Sequence, residues 1–245
     1  MEDKALLSTE VASGTEKAEL LIVIPAYNEA ENIERVVNHL TANFPQYDYV
    51  VVNDGSRDET AAICQINGYN LLNLPVNLGL AGAFQAGLKY ADKYGYQYAV
   101  QLDGDGQHRP EYLESMIKKM EEGYDIVIGS RFVGEKKPFT MRMLGSNLIE
   151  MAIRFTTGVN IKDPTSGMRM FSKRMIREFA SGLNYGPEPD TVSYLIRQGA
   201  RVAEVPVIMD ERILGVSYLT PVNAMRYMLK MLISILLIQN FRKRR

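Results

Sequence analysis

Short apolar runs separated by segments of helical spacing make up the first half of the chain. Uninterrupted apolar runs predict strands buried on both faces, as in a parallel sheet. They fall at residues 20–24, 49–52, 69–74, 96–102 and 125–128. Apolar positions spaced as on one helix face predict helices at 29–44, in the segment ending at 67, at 79–94 and at 110–122. This alternation predicts an α/β fold with a doubly wound, mostly parallel sheet flanked by helices.

In the second half of the chain, predicted strands and helices alternate less regularly. The pattern there predicts helices at 140–157, 187–198 and 222–245, a strand at 202–208, and a strand or irregular segment at 165–172. Residues 1–19 are polar and are expected to form a disordered tail. We therefore expect three parts: this tail, one domain over residues 20–220, and an amphipathic, basic C-terminal helix over 221–245.

Composition narrows the class of protein. The net charge of −1 gives no general attraction for polyanions, so we expect no binding of nucleic acid. Cys64 is the single cysteine, which excludes an intrachain disulfide and fits a reducing compartment. The N-terminal residues lack the apolar core of a secretory signal. The expected location is the cytoplasm or the cytosolic face of a membrane.

Polar clusters follow four of the predicted strands, at residues 27–29, 53–54, 103–107 and at Arg131. Each cluster alone could be ordinary turn chemistry. In open parallel α/β sheets, however, ligands bind beyond the carboxyl ends of the strands. The four clusters are therefore expected to share one site.

Asp103 and Asp105 give the strongest chemical signal. In an extended segment, residues two apart point the same way, and paired carboxylates repel unless a cation lies between them. Hard oxygen ligands suit Mg or Mn, and Gln107 adds a neutral oxygen. No glycine-rich dinucleotide loop or Walker A sequence is present, which favours metal bridging of a diphosphate. A structural turn, or a phosphatase with an aspartyl nucleophile, remains an alternative.

Six motifs in order resemble a known family. They are IPAYNE at 24–29, VVNDGSRDET at 51–60, NLGLAGAFQAGLKYA at 77–91, QLDGDGQHRPEYL at 101–113, GSRF at 129–132 and DPTSGMRMF at 163–171. The chain resembles family 2 of the inverting glycosyltransferases, which have the GT-A fold. It is similar to dolichol-phosphate mannose synthases and bacterial polyprenyl-phosphate sugar transferases. The resemblance implies transfer of a sugar from a nucleoside-diphosphate sugar to a lipid-linked acceptor, foremost polyprenyl phosphate, in cell-envelope glycan synthesis.

The resemblance also implies roles for individual residues. The nucleotide would be bound by Pro25, Ala26, Tyr27, Glu29 and Asp54. The metal on the donor diphosphate would be held by Asp103, Asp105 and Gln107. Phosphate groups would be neutralised by Arg131 and Arg169, and approached by Arg212 and Ser217 in the segment 211–219. Tyr218 stands where the family usually has lysine. The alternative for each arginine is an ion pair or simple solvation.

The acceptor decides whether a general base is needed. A phosphate is already ionised near neutrality, whereas a sugar hydroxyl needs a positioned carboxylate. Glu188 and Asp190 are the candidates, with Asp190 preferred, but both could instead complement a helix N-terminus. His39 is expected at the surface, and His108 lacks the companions that a zinc site needs.

The C-terminal helix has two interpretations. Its uncharged stretch from Met231 is shorter than the ~20 residues that span a bilayer. It is expected to lie in the plane of a membrane surface, with the basic residues 242–245 meeting anionic lipids. The alternative is packing on the domain or on a second copy. Beyond the phosphate acceptor, the open alternatives for function are transfer to a sugar hydroxyl, a metal-dependent phosphohydrolase with Asp103 as nucleophile, and an inert nucleotide-binding scaffold.

Overall fold

The structure, a computed structural model, describes residues 18–135, 137–138, 140–181, 186–210 and 221–241, without the side chains of 141, 142, 221, 222, 240 and 241. The strands are β1 Leu20–Ala26, β2 Asp48–Asn53, β3 Leu71–Asn73, β4 Tyr98–Gln101, β5 Ile126–Ser130, β6 Arg169–Ser172 and β7 Val202–Pro206. The helices are α1 Ile33–Asn43, α2 Thr60–Ile66, α3 Gly79–Tyr94, α4 Leu113–Glu121, α5 Met141–Thr157, α6 Lys173–Ala180, α7 Pro189–Arg197 and α8 Pro221–Leu236. Short 3₁₀ turns occupy Pro110–Tyr112 and Ile238–Phe241. Residues 1–17 of the predicted tail, Arg212, Ser217, Tyr218 and the terminal basic cluster lie outside the described residues.

The seven strands form one mixed, mostly parallel sheet in the order β3-β2-β1-β4-β6-β5-β7. From β1 the chain moves outward to β2 and β3, then crosses to β4 on the other side of β1. The gap between β1 and β4 is thus the point where the winding direction changes, which is where ligands bind in such sheets. The predicted doubly wound sheet is confirmed, and its switch point lies between the first and third polar clusters.

Strand β6 is the feature that the sequence left undecided. It lies between β4 and β5 and is antiparallel to both. It pairs Arg169 with Gln101 of β4 and with Ile128 of β5. An antiparallel strand at this place makes the segment that precedes it, residues 163–168, enter from the carboxyl ends of β4 and β5. The 163–171 motif is thereby brought to the predicted site.

Strand β1 shows why its apolar run is uninterrupted. Leu21 and Val23 belong to the core on one side of the sheet, with α3, α5 and α7. Leu20, Ile22 and Ile24 belong to the core on the other side, with α1 and α4. Since successive side chains of a strand point to opposite faces, a strand covered on both faces is apolar at every position.

Helix α3 matches its predicted bounds, and two glycines explain how it fits. A Cβ at Gly87 would lie 2.2 Å from Cγ1 of Val23, so glycine is what allows α3 to approach β1 this closely. Gly95 has φ of 75° and ends the helix in the left-handed conformation that glycine adopts without strain.

Helix α8 packs on the domain by one side. Met231 and Ile235 are buried in the same core as Ile149 and Ile153 of α5. Its other side leaves several apolar residues exposed. Among the described helices, none combines the length and the apolar character that a membrane crossing requires.

Candidate functional site

The loop after β1 is tied to the loop after β2. Asn28 has φ of 56°, a left-handed conformation that asparagine tolerates. Its backbone N–H donates to Ser56 Oγ at 3.0 Å, and its Oδ1 accepts from the N–H of Arg57 at 2.9 Å. The Glu29 N–H donates to Thr60 Oγ1 at 2.9 Å. The predicted nucleotide residues 25–29 therefore form a braced wall at the sheet edge.

Asp54 lies at the base of this wall. Its N–H donates to the Ala26 carbonyl at 2.9 Å, and its Oδ1 accepts from the N–H of Leu78 at 2.7 Å. The residue is 3% exposed. One carboxylate oxygen thus fixes the chain that leads into α3, a positioning role that the sequence did not indicate.

Residues 103–106 form a turn, and the extended segment assumed in the sequence argument is wrong. The Gly106 N–H donates to the Asp103 carbonyl at 3.3 Å, and Gly106 has φ of 78°. The two carboxylates accordingly differ in environment: the Asp103 side chain is 38% exposed, whereas Asp105 is 3% exposed. The geometry of an extended strand therefore does not explain how the Asp103 and Asp105 side chains are directed.

Neighbouring groups hold the Asp103 carboxylate and its backbone. Gln101 Nε2 donates to Asp103 Oδ1 at 2.8 Å. His108 Nδ1 accepts from the Asp103 N–H at 3.0 Å, which requires that ring nitrogen to be unprotonated. A Cβ at Gly167 would lie 3.1 Å from Asp103 Oδ2, so the 163–171 segment lies directly against this oxygen. His108 acts here as a brace.

The nucleotide wall and the carboxylate turn are in contact. A Cβ at Gly104 would lie 3.2 Å from the Pro25 carbonyl oxygen and 3.5 Å from Cγ of Glu29. Arg35 Nη2 donates to the Asp105 carbonyl at 3.1 Å from the first turn of α1. The first and third predicted clusters therefore meet at the switch point between β1 and β4.

The donor set fits a divalent ion shared with a ligand. Within the described residues, no group of three or more His, Cys, Asp or Glu side chains is arranged to hold a metal by itself. Two carboxylates on one turn match the usual demand of Mg²⁺ for one or two protein carboxylates with phosphate and water oxygens completing the shell. Gln107 directs its Nε2 to the Asp210 carbonyl at 3.1 Å, and its N–H donates to Asp105 Oδ1 at 3.0 Å.

Arg131 is held in an ion pair. Its Nε donates to Asp163 Oδ2 at 2.7 Å and its Nη2 to Asp163 Oδ1 at 2.8 Å. Asp163 is fully buried, and its own N–H donates to Glu204 Oε1 at 2.8 Å. Arg131 therefore forms the ion pair that was given as the alternative to a phosphate contact. The predicted phosphate contact would have to be made by the part of the guanidinium that faces away from Asp163.

Arg169 is buried in β6. It is 2% exposed, and its Nη2 donates to the Pro164 carbonyl at 2.6 Å. Burial lowers the pKa of its guanidinium, while the acidic groups of Tyr227, Glu188 and Asp163 act in the opposite direction. Arg169 therefore acts inside the protein as a countercharge to these acidic groups. Its Nε and Nη1 have no hydrogen-bond partner among the described residues, and the predicted phosphate contact stays a prediction.

Glu188 and Asp190 face helix α8. The Tyr227 hydroxyl donates to Glu188 Oε2, and burial together with this carboxylate raises the pKa of Tyr227 above its ordinary value. Asp190 Oδ1 accepts from the N–H of Thr191 at 2.8 Å, and its Oδ2 accepts from Ser234 Oγ at 2.6 Å. Both candidate bases are thus engaged in fixing α7 to α8.

The sequence reasoning missed a clamp beside the carboxylate turn. Arg109 donates through Nε to both carboxylate oxygens of Asp210 at 2.9 Å, and this guanidinium lowers the pKa of Asp210. His108 and Met209 form an antiparallel bridge. The clamp and the hydrogen bond from Gln107 hold Asp210 beside the turn. The clamp pairs residues about a hundred positions apart, and no local pattern reveals such a pair; Asp163, in contrast, lay within a motif already singled out.

Comparison with known proteins identifies the family. A family model described as Glycosyl transferase family 2 matches residues 21–179. The polyprenol monophosphomannose synthase of Mycolicibacterium smegmatis is 32% identical over 223 residues, covering 86% of this chain and 84% of the relative. The undecaprenyl-phosphate mannosyltransferase of Micrococcus luteus is 31% identical over 210 residues, covering 81% and 86% respectively.

Solved structures show the same fold. Glucosyl-3-phosphoglycerate synthase from Mycobacterium tuberculosis, with Mn²⁺, uridine diphosphate and phosphoglyceric acid, superposes with a TM-score of 0.64 at 21% identity, covering 92% of this chain and 79% of that one. A mannosyltransferase of Pyrobaculum calidifontis with GDP-mannose and Mn²⁺ gives a TM-score of 0.58 at 18% identity, covering 83% and 59%. The predicted GT-A fold is confirmed. On the match of family, relatives and fold, the chain belongs to glycosyltransferase family 2 and is a nucleotide-sugar-dependent glycosyltransferase.

Proposed function

We propose that this chain transfers a sugar, with inversion and with a bound Mg or Mn, from a nucleoside-diphosphate sugar to a polyprenyl phosphate at the cytosolic surface of a membrane, for cell-envelope glycan synthesis. The observation that carries the proposal is the contact of the turn at Asp103 and Asp105 with the wall at Pro25 and Glu29. The wall supplies polar groups for a nucleotide, and the turn supplies carboxylates for the cation on its diphosphate.

The donor end of the reaction needs charge neutralisation. A divalent ion bound at the turn would stabilise the negative charge that develops on the leaving diphosphate. The chain's own contribution is to orient the carboxylates that would hold the ion: Gln101 donates to one oxygen of Asp103, and the Gln107 N–H donates to one oxygen of Asp105. An acceptor oxygen attacking from the opposite side in one displacement gives inversion.

A phosphate acceptor is supported by two considerations. Two relatives above 30% identity are named for transfer to polyprenol or undecaprenyl phosphate. A phosphate oxygen also needs no general base, and the carboxylates of Glu188 and Asp190 hydrogen bond to α8. A sugar-hydroxyl acceptor would require one of these carboxylates to act as a general base as well.

The direct test is incubation of the full chain and Mg²⁺ or Mn²⁺ with a panel of sugar nucleotides and a short polyprenyl phosphate, with the lipid product identified by mass. Asp105→Asn should lose transfer, because one metal-binding charge is removed, while the melting curve stays near that of the wild type. The matched control is Asp92→Asn, an exposed carboxylate in the last turn of α3, which should transfer normally. Full turnover of Asp105→Asn at saturating Mn²⁺ contradicts the metal role.

A further inference from the structure

Exposed apolar side chains are concentrated on one part of the surface. Of the fifteen large apolar residues that are exposed in the described part of the chain, ten lie on α5, on α8 or just after α8. Contiguous exposed apolar patches mark interaction sites in proteins. We call this set the α5/α8 apolar face; its members are Leu144, Leu148, Met151 and Phe155 on α5, and Met225, Leu229, Ile233, Leu236, Leu237 and Ile238 on or after α8.

The two helices run side by side in the same direction. In the first half of α5, a Cβ at Gly145 would lie 2.8 Å from Cγ of Met228, so the helices touch there. At the end of α5, Thr156 Oγ1 lies 3.4 Å from Ser193 Oγ of α7. Helix α7 in turn accepts a hydrogen bond at 2.6 Å from Ser234, near the end of α8. The ends of α5 and α8 therefore lie at the same end of the pair.

The parallel arrangement places both exposed stripes on one side. Viewed from its N-terminus, each helix advances by about 100° per residue. The side of α5 that faces α8 carries Gly145 and Ala152. In the direction in which the chain winds, the exposed stripe of α5 lies roughly a quarter turn before that side. On α8 the exposed stripe lies roughly a quarter turn after the side that carries Met228 and Ile235. For two parallel neighbours these opposite offsets make the stripes face the same way, so they form one surface.

Cationic side chains border this surface. By the same helical geometry, the exposed Arg154 lies on the outer edge of α5, and the exposed Arg226 and Lys230 lie on the outer edge of α8. The sequence from 221 to 245 contains no Asp or Glu and ends in four basic residues. On α5 the one acidic residue, Glu150, is paired with Lys137 at 2.7 Å. The border is therefore positive on both long sides.

We infer that the α5/α8 apolar face lies flat on an anionic lipid bilayer, with α5 as a second membrane-contacting helix beside α8. The inference extends the membrane-surface part of the proposed function, and it rests on that part alone. Apolar side chains would enter the boundary between headgroups and acyl chains, while the bordering cations meet anionic headgroups.

A second copy of the chain fits the face less well. A symmetric contact places the same surface opposite itself. The basic borders of one copy would then face those of the other, and like charges in apposition oppose association. An anionic lipid surface offers the opposite charge at both borders.

The test is flotation of the purified full-length chain with vesicles of phosphatidylcholine alone or mixed in equal parts with phosphatidylglycerol. The wild type should float with the mixed vesicles. Phe155→Glu should lower the bound fraction by about tenfold or more, because it places a charge in the apolar layer. The matched control is Ile66→Glu, since Ile66 is 84% exposed and Phe155 is 85% exposed, but Ile66 lies on α2. Met151→Glu repeats the test at a second position.

The outcomes separate the inference from the proposed function. Equal flotation of the wild type and both α5 variants, with loss only in Leu229→Glu, removes α5 from the contact. Absence of flotation, with a dimer in sedimentation velocity that Phe155→Glu dissociates, overturns the lipid assignment in favour of a second copy. Transfer to a short polyprenyl phosphate in detergent is measured in parallel, and Phe155→Glu should retain it. A wild type that floats but does not transfer rejects the proposed function and leaves the docking surface standing.

Discussion

The arginines of the site differ in what their surroundings allow them to do. Arg131 shares both oxygens of the fully buried Asp163, whose N–H is in turn fixed by Glu204. Arg169 is enclosed in the sheet, where burial lowers the pKa of its guanidinium. Both arginines thus make contacts that hold the fold, and their predicted contacts with phosphate stay predictions.

We expect replacement of Arg131 to lower the free energy of unfolding. Arg131→Met leaves the buried Asp163 carboxylate without its cation, and breaking such pairs costs about 3–5 kcal/mol when both partners are buried. The Arg131 side chain is 24% exposed, so the lower end of that range is expected. Urea unfolding of the purified variant measures the loss.

Arg174→Met is the matched control for this change. It removes a similar two-pronged pair, with Asp125, but the Arg174 side chain is 53% exposed. Its loss should cost about 1 kcal/mol or less. If Arg131→Met is as stable as the wild type but no longer binds donor in calorimetry, the phosphate contact is its main role.

Among the elements, α7 and α8 hold the side chains of both candidate general bases. The first turn of α7 carries Asp190, and its Oδ2 accepts from Ser234 in α8. The loop before α7 carries Glu188, which accepts from Tyr227 in α8. Burial and the Glu188 carboxylate raise the pKa of Tyr227, which favours the protonated hydroxyl that donates this hydrogen bond. These carboxylates join two helices, a role that differs from the helix N-terminus alternative that the sequence offered for them.

Asp190→Asn should therefore retain a substantial part of the transfer activity, whereas Arg212→Ala should lose most of it. Loss of a general base costs about 10²–10⁴-fold, so the two outcomes are well separated. Initial rates with polyprenyl phosphate give the comparison, and hydrolysis of the donor without acceptor separates donor activation from acceptor binding. An Asp190→Asn variant that binds donor but is inactive toward the lipid would indicate a hydroxyl acceptor.

At the scale of the whole molecule, the C-terminal helix belongs to the folded unit. Met231 and Ile235 are 3% and 0% exposed and complete the core around α5 and α7. The same helix presents its opposite side at the surface. One element thus closes the core and, by our inference, meets the lipid, so removing it cannot test the second role alone.

Deleting residues 222–245 should destabilise the whole domain. Loss of one large buried aliphatic side chain typically costs about 2–5 kcal/mol, and the deletion removes two together with the hydrogen bonds to Asp190. Thermal unfolding followed by circular dichroism should show a lower midpoint or aggregation. A truncated chain that melts like the wild type would show that α8 is an appendage, as the sequence division at residue 221 implies.

The sequence determined the sheet class, most element bounds and the edge at which the site lies. Apolar runs of strand length and helical spacing are local signals, and β1 and α3 followed them because their apolar positions pack into the two cores. The motif residues at 25–29 and 103–107 meet as expected, because parallel strands bring their carboxyl ends to one edge. Family membership likewise follows from motifs in order.

The tertiary structure decided what depends on partners far apart in the chain. Four features depend on residues that no sequence period connects. They are the direction of β6, the burial of Asp105, the pairing of Arg131 with Asp163 and the clamp of Arg109 on Asp210. The same holds for the shared side of α5 and α8, since each helix carries its own stripe in the sequence and only their parallel packing makes the two stripes one surface. Local pattern fixes which face of an element is apolar; the neighbour that covers it, or leaves it open, is set by the fold.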